Sequence, residues 1–354
     1  MSDVLNEVSG AVQADSGPAE PTVLGSLPEG FLSVRARELH RLVPNATLIH
    51  LPGRREPPLL VSILLHGDET VGLHALQRVL ARHAGHGLPR ALSLFIGNVA
   101  AAQYGVRLLP GGPDYNRIWP GAEGTDHPRE RAVLARVVEL MGQRGVFASI
   151  DLHNNSGVNP HYACVNRLDP PWLHLASLFS RTVVYFLRPL GVQSAAFSAL
   201  GPAVTCECGK IGDAAGIEHA AEFVDACLHL AEVPGHPPRP GDVQLFHTVA
   251  SVTVPRHVTF GFGDCDGDLC FPPDLDHMNF QELPAGTVFA RRRGRLGFLE
   301  VRDERGRDVA DAYLEVHDDR IALKRPVIPS MLTVQPEAIR HDRLGYFMEP
   351  LPLK

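Results

Sequence analysis

Hydrophobic and polar positions alternate between two rhythms along most of this chain. Short apolar runs at residues 46–51, 59–65, 91–96, 145–152, 162–165, 182–187 and 203–208 are bounded by Pro, Gly or polar residues, the signature of buried strands. Between several of them the apolar spacing lengthens to that of an amphipathic helix. Val71, Leu76, Val79 and Leu80 predict one over 70–83, and similar patterns cover 128–141, 171–180 and 216–231. A weaker helical pattern spans 27–42, and the Gly- and Pro-rich stretch 103–121 predicts a long loop. Strands that alternate with helices over 45–231 predict an α/β fold, a mostly parallel, doubly wound sheet covered on both faces.

After the Pro- and Gly-rich segment 232–241 the rhythm changes. Residues 243–259, 286–290, 297–301 and 313–323 alternate as strands, with no helical pattern among them. This predicts a smaller C-terminal β-rich domain. The expected division is a mobile tail over 1–25, a catalytic α/β domain over 26–233, and a β-rich domain over 234–354 that narrows the site and selects substrate.

Composition adds mainly exclusions. At 354 residues, 44% apolar, the chain can bury a sizeable core, and a net charge of −7 without a basic stripe gives no reason to expect nucleic acid. No apolar run reaches the roughly 20 residues of a membrane-spanning helix, and the acidic start is unlike a secretory signal, so the cytoplasm is expected. Six cysteines in this length are not a disulfide framework. Cys265 and Cys270 are expected as free thiols, like the other four.

The candidate chemistry gathers at predicted strand ends. His66-Gly-Asp-Glu69 follows the run 59–65, where a sharp turn can aim a histidine and a carboxylate at one divalent metal. The same spacing recurs at His127/Glu130, His219/Glu222 and His229/Glu232, but those pairs fall on predicted surface helices and read as solvated side chains. Asp68 reads as a turn residue that caps the next helix. A second strand end carries Asp151-Leu-His153. His66, Glu69 and His153 make the open two-histidine, one-carboxylate set of a catalytic zinc site, with Asp151 able to orient a histidine. Glu207 ends a third strand, where a carboxylate is costly to bury unless it is paired or functional, and it suits a general base. The loop from Arg107 to Asn116 and Arg117 supplies cations for a substrate carboxylate or a developing oxyanion. Asp264-Cys-Asp266-Gly-Asp268 lacks the Gly position and closing Glu of a calcium loop.

In their order, His66-Gly-Asp-Glu69, Asp114-Tyr-Asn-Arg117 with Trp119-Pro-Gly121, Asp151-Leu-His153 and Glu207 resemble the succinylglutamate desuccinylase/aspartoacylase family, a branch of the zinc carboxypeptidase-like hydrolases. Tyr115 departs from the leucine more usual there. The resemblance implies a sheet of the zinc carboxypeptidase type and one zinc per chain on His66, Glu69 and His153. It also implies Glu207 as base, Arg107 polarising the scissile carbonyl, and Asn116 with Arg117 holding the substrate's carboxylate. The expected activity is a zinc-dependent amidohydrolase that removes an N-acyl group from a small carboxylate-bearing substrate such as an N-acyl amino acid. The alternatives are a zinc carboxypeptidase acting on short peptides and an inactive metal-binding relative. Acyl group, amine and homo-oligomerisation stay open.

Overall fold

The computed structural model of the chain describes residues 19–239, 241–294 and 296–353; most of the expected N-terminal tail lies outside the described residues. The first of two units comprises the described residues of Met1–Asn154, Tyr162–Val183 and Pro189–Val243. Its strands are β1 (Thr22–Leu24), β2 (Thr47–Leu51), β3 (Leu59–Ile63), β4 (Leu92–Ile96), β5 (Ala148–Asn155), β6 (Tyr162–Val165), β7 (Thr182–Tyr185) and β8 (Ala203–Lys210). They are ordered β1-β2-β4-β3-β5-β8-β6-β7. Central β3 has every side chain fully buried, which is why its sequence is an apolar run broken only by Ser62 rather than an alternation.

Helices α1 (Val71–Arg82), α2 (Val99–Tyr104), α3 (Pro128–Arg144), α4 (Pro170–Phe179), α5 (Gln193–Phe197) and α6 (Ala214–His229) accompany this sheet. One core cluster packs Leu134, Val137 and Met141 of α3 with Phe95, Trp119 and Phe197. The Trp119 ring meets Phe95 and Phe197 edge-on, at centroid distances of 5.4 and 5.7 Å. The weak helical pattern at 27–42 resolves to a single 3₁₀ segment, Ala36–Arg41.

The sheet is mixed where the sequence predicted it mostly parallel. β3 runs parallel to β4 and β5, but β2 is antiparallel to β4 and β6 to β8. The reason lies in the connections. No helix separates β2 from β3 or β5 from β6, so neither link is a helical crossover that enforces a parallel neighbour.

The second unit comprises Asn155–His161, Val184–Arg188 and the described residues of Gln244–Lys354. Its strands are β9 (Gln244–Thr253), β10 (Phe260–Phe262), β11 (Leu269–Phe271), β12 (Val288–Arg292), β13 (Glu300–Asp303), β14 (Leu314–His317), β15 (Arg320–Leu323), β16 (Ile328–Ser330) and β17 (Gly345–Pro350). β9 pairs antiparallel with β13 and with β17, which pairs with β16; a separate sheet runs β10-β11-β12-β15-β14. Burial alternates along most of β9, and Phe271, Phe289, Leu323 and Phe347 centre a core of the unit's own. Two short helices, Ala310–Tyr313 and Pro336–His341, interrupt the expected all-strand segment.

One cysteine expectation fails. Cys265 and Cys270 form a disulfide, because β10 and β11 pair closely in parallel and leave the two Cα atoms 5.7 Å apart. The other four cysteines are free and buried, as the sequence suggested. The acidic residues around this loop are engaged within the protein: Asp268 accepts from the Thr259 amide and hydroxyl, and Asp266 pairs with Arg293 at 2.8 Å. Among the described residues, no helix is long and apolar enough to cross a membrane.

Candidate metal centre

Three strand ends of the first unit supply the centre. β3 stops at Ile63, and Leu64 takes a positive φ of 52°, a conformation a branched side chain rarely adopts, before the chain turns at Gly67. A Cβ on Gly67 would lie 2.3 Å from the Ala101 carbonyl carbon in α2, so the turn packs directly against that helix's backbone. The Gly67 amide donates to the Arg107 carbonyl at 3.1 Å, which pins the arginine loop to the turn. His66 and Glu69 are thereby fixed, and both are almost fully buried.

His153 comes from the end of β5 and meets them. His66 Nδ1 lies 2.8 Å from Glu69 Oε1, and His153 Nδ1 lies 2.7 Å from Glu69 Oε2. Each imidazole has a second carboxylate behind it: His66 Nε2 is 3.1 Å from Asp114 Oδ1, and His153 Nε2 is 2.9 Å from Asp151 Oδ2. His66, Glu69 and His153 each offer a donor atom, and the three atoms fall within 4.8 Å of one another. The donor set suits zinc. Both short N···O contacts require a proton between nitrogen and carboxylate, and a divalent cation can replace those protons while Asp114 and Asp151 fix the ring orientation.

The charges are strongly coupled. Burial alone would raise Glu69, but the His66 and His153 imidazoles hold its carboxyl well below the usual range. Burial and Arg107 work against protonation of His66, yet Glu69 and Asp114 prevail and raise it. His153 is raised further: burial opposes the proton, and Asp151 with Glu69 overcome it. Asp114 would be raised by burial, but His66 and Arg117 keep it well below the carboxylate norm.

Glu207, 5% exposed near the end of β8, behaves differently. Burial pushes its carboxyl up to about 7, the charges of Glu69 and Asp151 add to the rise, and His153 and His66 oppose it. Cys206 and Cys208 beside it are raised well above the usual thiol value by burial, so neither is a thiolate nucleophile at neutral pH.

The loop residues reach the same place by different contacts. Arg107 Nη1 donates to Glu69 Oε1 at 3.0 Å. The Asn116 amide nitrogen lies 3.3 Å from His153 Nε2, and its oxygen accepts from the Gln193 amide at 3.3 Å. Arg117 Nη1 donates to the Asn116 carbonyl at 2.7 Å. Every site residue expected from sequence thus lies in this unit, but Arg107 contacts the carboxylate of Glu69 rather than open space.

Sequence reasoning missed two residues and misassigned a third. Asp114 had no role in the sequence reading beyond its place in the Asp114-Tyr-Asn-Arg117 motif, whereas it holds His66. Asn154 joins three strand ends: its amide N–H donates to Glu69 Oε2 at 3.0 Å, its side-chain oxygen accepts from Val71 N–H at 3.2 Å, and its nitrogen donates to the Gly209 carbonyl at 3.0 Å. An asparagine directly after His153, beyond the last apolar residue of that strand, was the available signal. Asn154 therefore does the capping expected of Asp68. The N-cap position is Thr70, with no side-chain cap bond, and Asp68 Oδ1 is buried without a partner.

Residues 56–231 match the model of the succinylglutamate desuccinylase/aspartoacylase catalytic domain. No curated protein sequence matches the chain. Among solved structures, the succinylglutamate desuccinylase of Chromobacterium violaceum is similar over 85% of this chain and 86% of that one, at 20% identity and a TM-score of 0.52. The succinylglutamate desuccinylase of Vibrio parahaemolyticus covers 91% and 95%, at 15% identity and a TM-score of 0.56. Murine aminoacylase 3 covers 84% and 97%, at 18% identity and a TM-score of 0.55. At these identities the structures speak for the fold, while the family match coincides with the segment that carries every residue of the centre. Over residues 56–231, then, the chain belongs to the succinylglutamate desuccinylase/aspartoacylase family.

Proposed function

We propose that this protein is a zinc-dependent amidohydrolase that removes an N-acyl group from a small carboxylate-bearing amine, an N-acyl amino acid in the first instance. The observation that carries the reading is the convergence of two imidazole Nδ1 atoms on the two oxygens of Glu69, with the buried Glu207 carboxyl beside them at about 7. His66, Glu69 and His153 would hold one zinc ion per chain. When bound, zinc supplies the positive charge that acidifies water and polarises an amide carbonyl.

The remaining steps fall to the chain's own residues. Glu207 takes a proton from the attacking water as its oxygen bonds to the acyl carbon. As the C–N bond breaks, Glu207 returns that proton to the leaving amine, so one carboxyl serves as base and then acid. Its raised pKa favours the second role, and the cation's charge would favour the first. Arg107 faces the centre and stabilises negative charge that develops on the carbonyl oxygen. Arg117 and Asn116 bind the substrate's carboxylate, and the Gln193 amide orients Asn116. The enzyme acts on small cytoplasmic solutes.

The test compares release of carboxylic acid from a panel of N-acyl amino acids with cleavage of short peptides, using zinc-loaded protein. Faster turnover of the acyl amino acids is expected, with kcat lowered by about 10²–10⁴-fold in Glu207→Gln. Preferential peptide cleavage, or full activity in Glu207→Gln, would overturn the assignment.

A further inference from the structure

A second cluster of metal-binding side chains shares no residue with the centre around Glu69. His83 closes α1, and Asp225 and His229 stand one turn apart near the end of α6. Among the described residues, this trio is the other group whose His, Cys, Asp or Glu donors fall within 4.8 Å of one another. α1 begins two residues after Glu69, and its length separates the two clusters by about 18 Å along the helix axis.

A histidine–aspartate ion pair accounts for only part of this arrangement. His83 Nε2 lies 2.6 Å from Asp225 Oδ1, which is complete as a pair. His229 then brings a second imidazole to the same oxygen, with Nδ1 at 3.8 Å and its ring centroid 5.7 Å from that of His83. His229 Nδ1 also lies 2.9 Å from the Asp225 carbonyl; when it donates there, the lone pair stays on Nε2 and is free to bind a metal.

The seam between the helices supplies a contrast. Earlier along it, Arg78 and Arg82 both grip Glu218, so two permanent cations satisfy one carboxylate. Further along, the carboxylate is Asp225 and the partners are two imidazoles, which can be neutral ligands. Later residues of α1 meet later residues of α6, so the helices run in the same sense and both end here, where helix dipoles favour a cation. Arg55 already bonds the carbonyls of His229 and Leu230, which leaves the three side chains for another cation. Exposure rises from 15% at His83 through 28% at Asp225 to 57% at His229, so an ion can enter and keep water ligands.

We propose that His83, Asp225 and His229 form a second metal site, which takes a divalent transition-metal ion of the zinc or cobalt class and ties the C-terminal ends of α1 and α6 together. Two imidazoles and one carboxylate select such ions over calcium or magnesium, which prefer all-oxygen shells.

Cobalt(II) is the probe. Full-length protein is stripped with chelator and dialysed against Co²⁺, and bound metal is counted by elemental analysis. Wild type is expected to hold two ions per chain, and His229→Ala, His83→Ala and His153→Ala one each, with circular dichroism unchanged. In His153→Ala, added Zn²⁺ should still raise Tm, and this rise should vanish in His153→Ala/His229→Ala. The proposal is overturned if His229→Ala binds as much cobalt as wild type, or if wild type binds only the ion that His153→Ala removes. Should His83→Ala misfold, the exposed His229 still decides the matter. A count that falls with His229→Ala but not with His153→Ala would sink the first metal centre and leave this one standing.

Discussion

Glu207 sits near the end of an apolar strand between two buried thiols, and its environment sets the protonation state on which the proposed chemistry turns. Its carboxyl moves from an ordinary 4.5 to about 7 in the folded, metal-free protein. A folded value above the unfolded one favours the protonated form, so the group's stabilising contribution is full below about pH 4.5 and is lost as pH rises through about 7. The lost contribution amounts to about 3 kcal/mol. Glutamine mimics the protonated acid at every pH. Metal-free Glu207→Gln is therefore expected to be more stable than wild type at pH 8, by up to that amount, and equal to it near pH 4. Urea unfolding at the two pH values measures this, and an equal difference at both would remove burial as the cause of the shift. His66, Glu69, His153 and Glu207 were legible in the sequence because each stands at or near the end of an apolar run, where a polar side chain needs a reason. Asp114 was not, because its partner His66 lies 48 residues away and no local pattern links them. Asp68 was misread since sequence spacing shows which backbone N–H groups need a cap but not which distant side chain arrives.

At the scale of elements, the turn after β3 depends on a close approach rather than on propensity. Gly67 has room for hydrogen only, since a Cβ would collide with backbone atoms of Ala101 and Ala102 at 2.3 Å. Backbone cannot rotate away as a side chain can, so Gly67→Ala must displace α2 or the turn itself. The expected destabilisation is roughly 1–3 kcal/mol, with weaker metal retention because His66 and Glu69 move with the turn. Gly142, inside α3, is the control. Its Cβ would meet only Leu200 methyls at 3.6 and 3.9 Å, so Gly142→Ala should stabilise by roughly 0.5–1 kcal/mol through helix propensity. Thermal melts of the two variants should shift in opposite directions, and a shared direction would contradict this account. Long elements such as α1, α3 and α6 were readable because their apolar stripes repeat over several turns. Helices α2 and α5 have only 6 and 5 residues, so no stripe can develop, and α2 ran into a stretch that reads as a loop. The direction of β2 and β6 was hidden for another reason: strand sequence reports burial, while direction depends on what connects the strands.

Across the whole molecule, the two units are stabilised by different means. The first gathers its buried carboxylates around one centre, where a bound metal would add RT ln(1 + [L]/Kd), about 4 kcal/mol when the metal is at a thousand times its Kd. The second has its own apolar core and the Cys265–Cys270 bridge. A bridge between residues 5 apart closes a very small loop, so the chain-entropy contribution is modest, about 2 kcal/mol. Such a bond persists in oxidising surroundings, and in the reducing cytosol of the proposed function the two cysteines would stand as thiols. Hydrogen exchange read peptide by peptide separates the two effects. Metal removal should speed exchange at residues 63–71, 148–155 and 203–210, around the first centre. A thiol reductant should speed exchange at residues 260–271 and leave the first set unchanged, since Cys164, Cys206, Cys208 and Cys227 are already free thiols. Cys265→Ser should show the faster exchange without reductant and no further response to it. A response to reductant at 203–210 that persists in Cys265→Ser would instead assign redox sensitivity to the buried thiols beside Glu207.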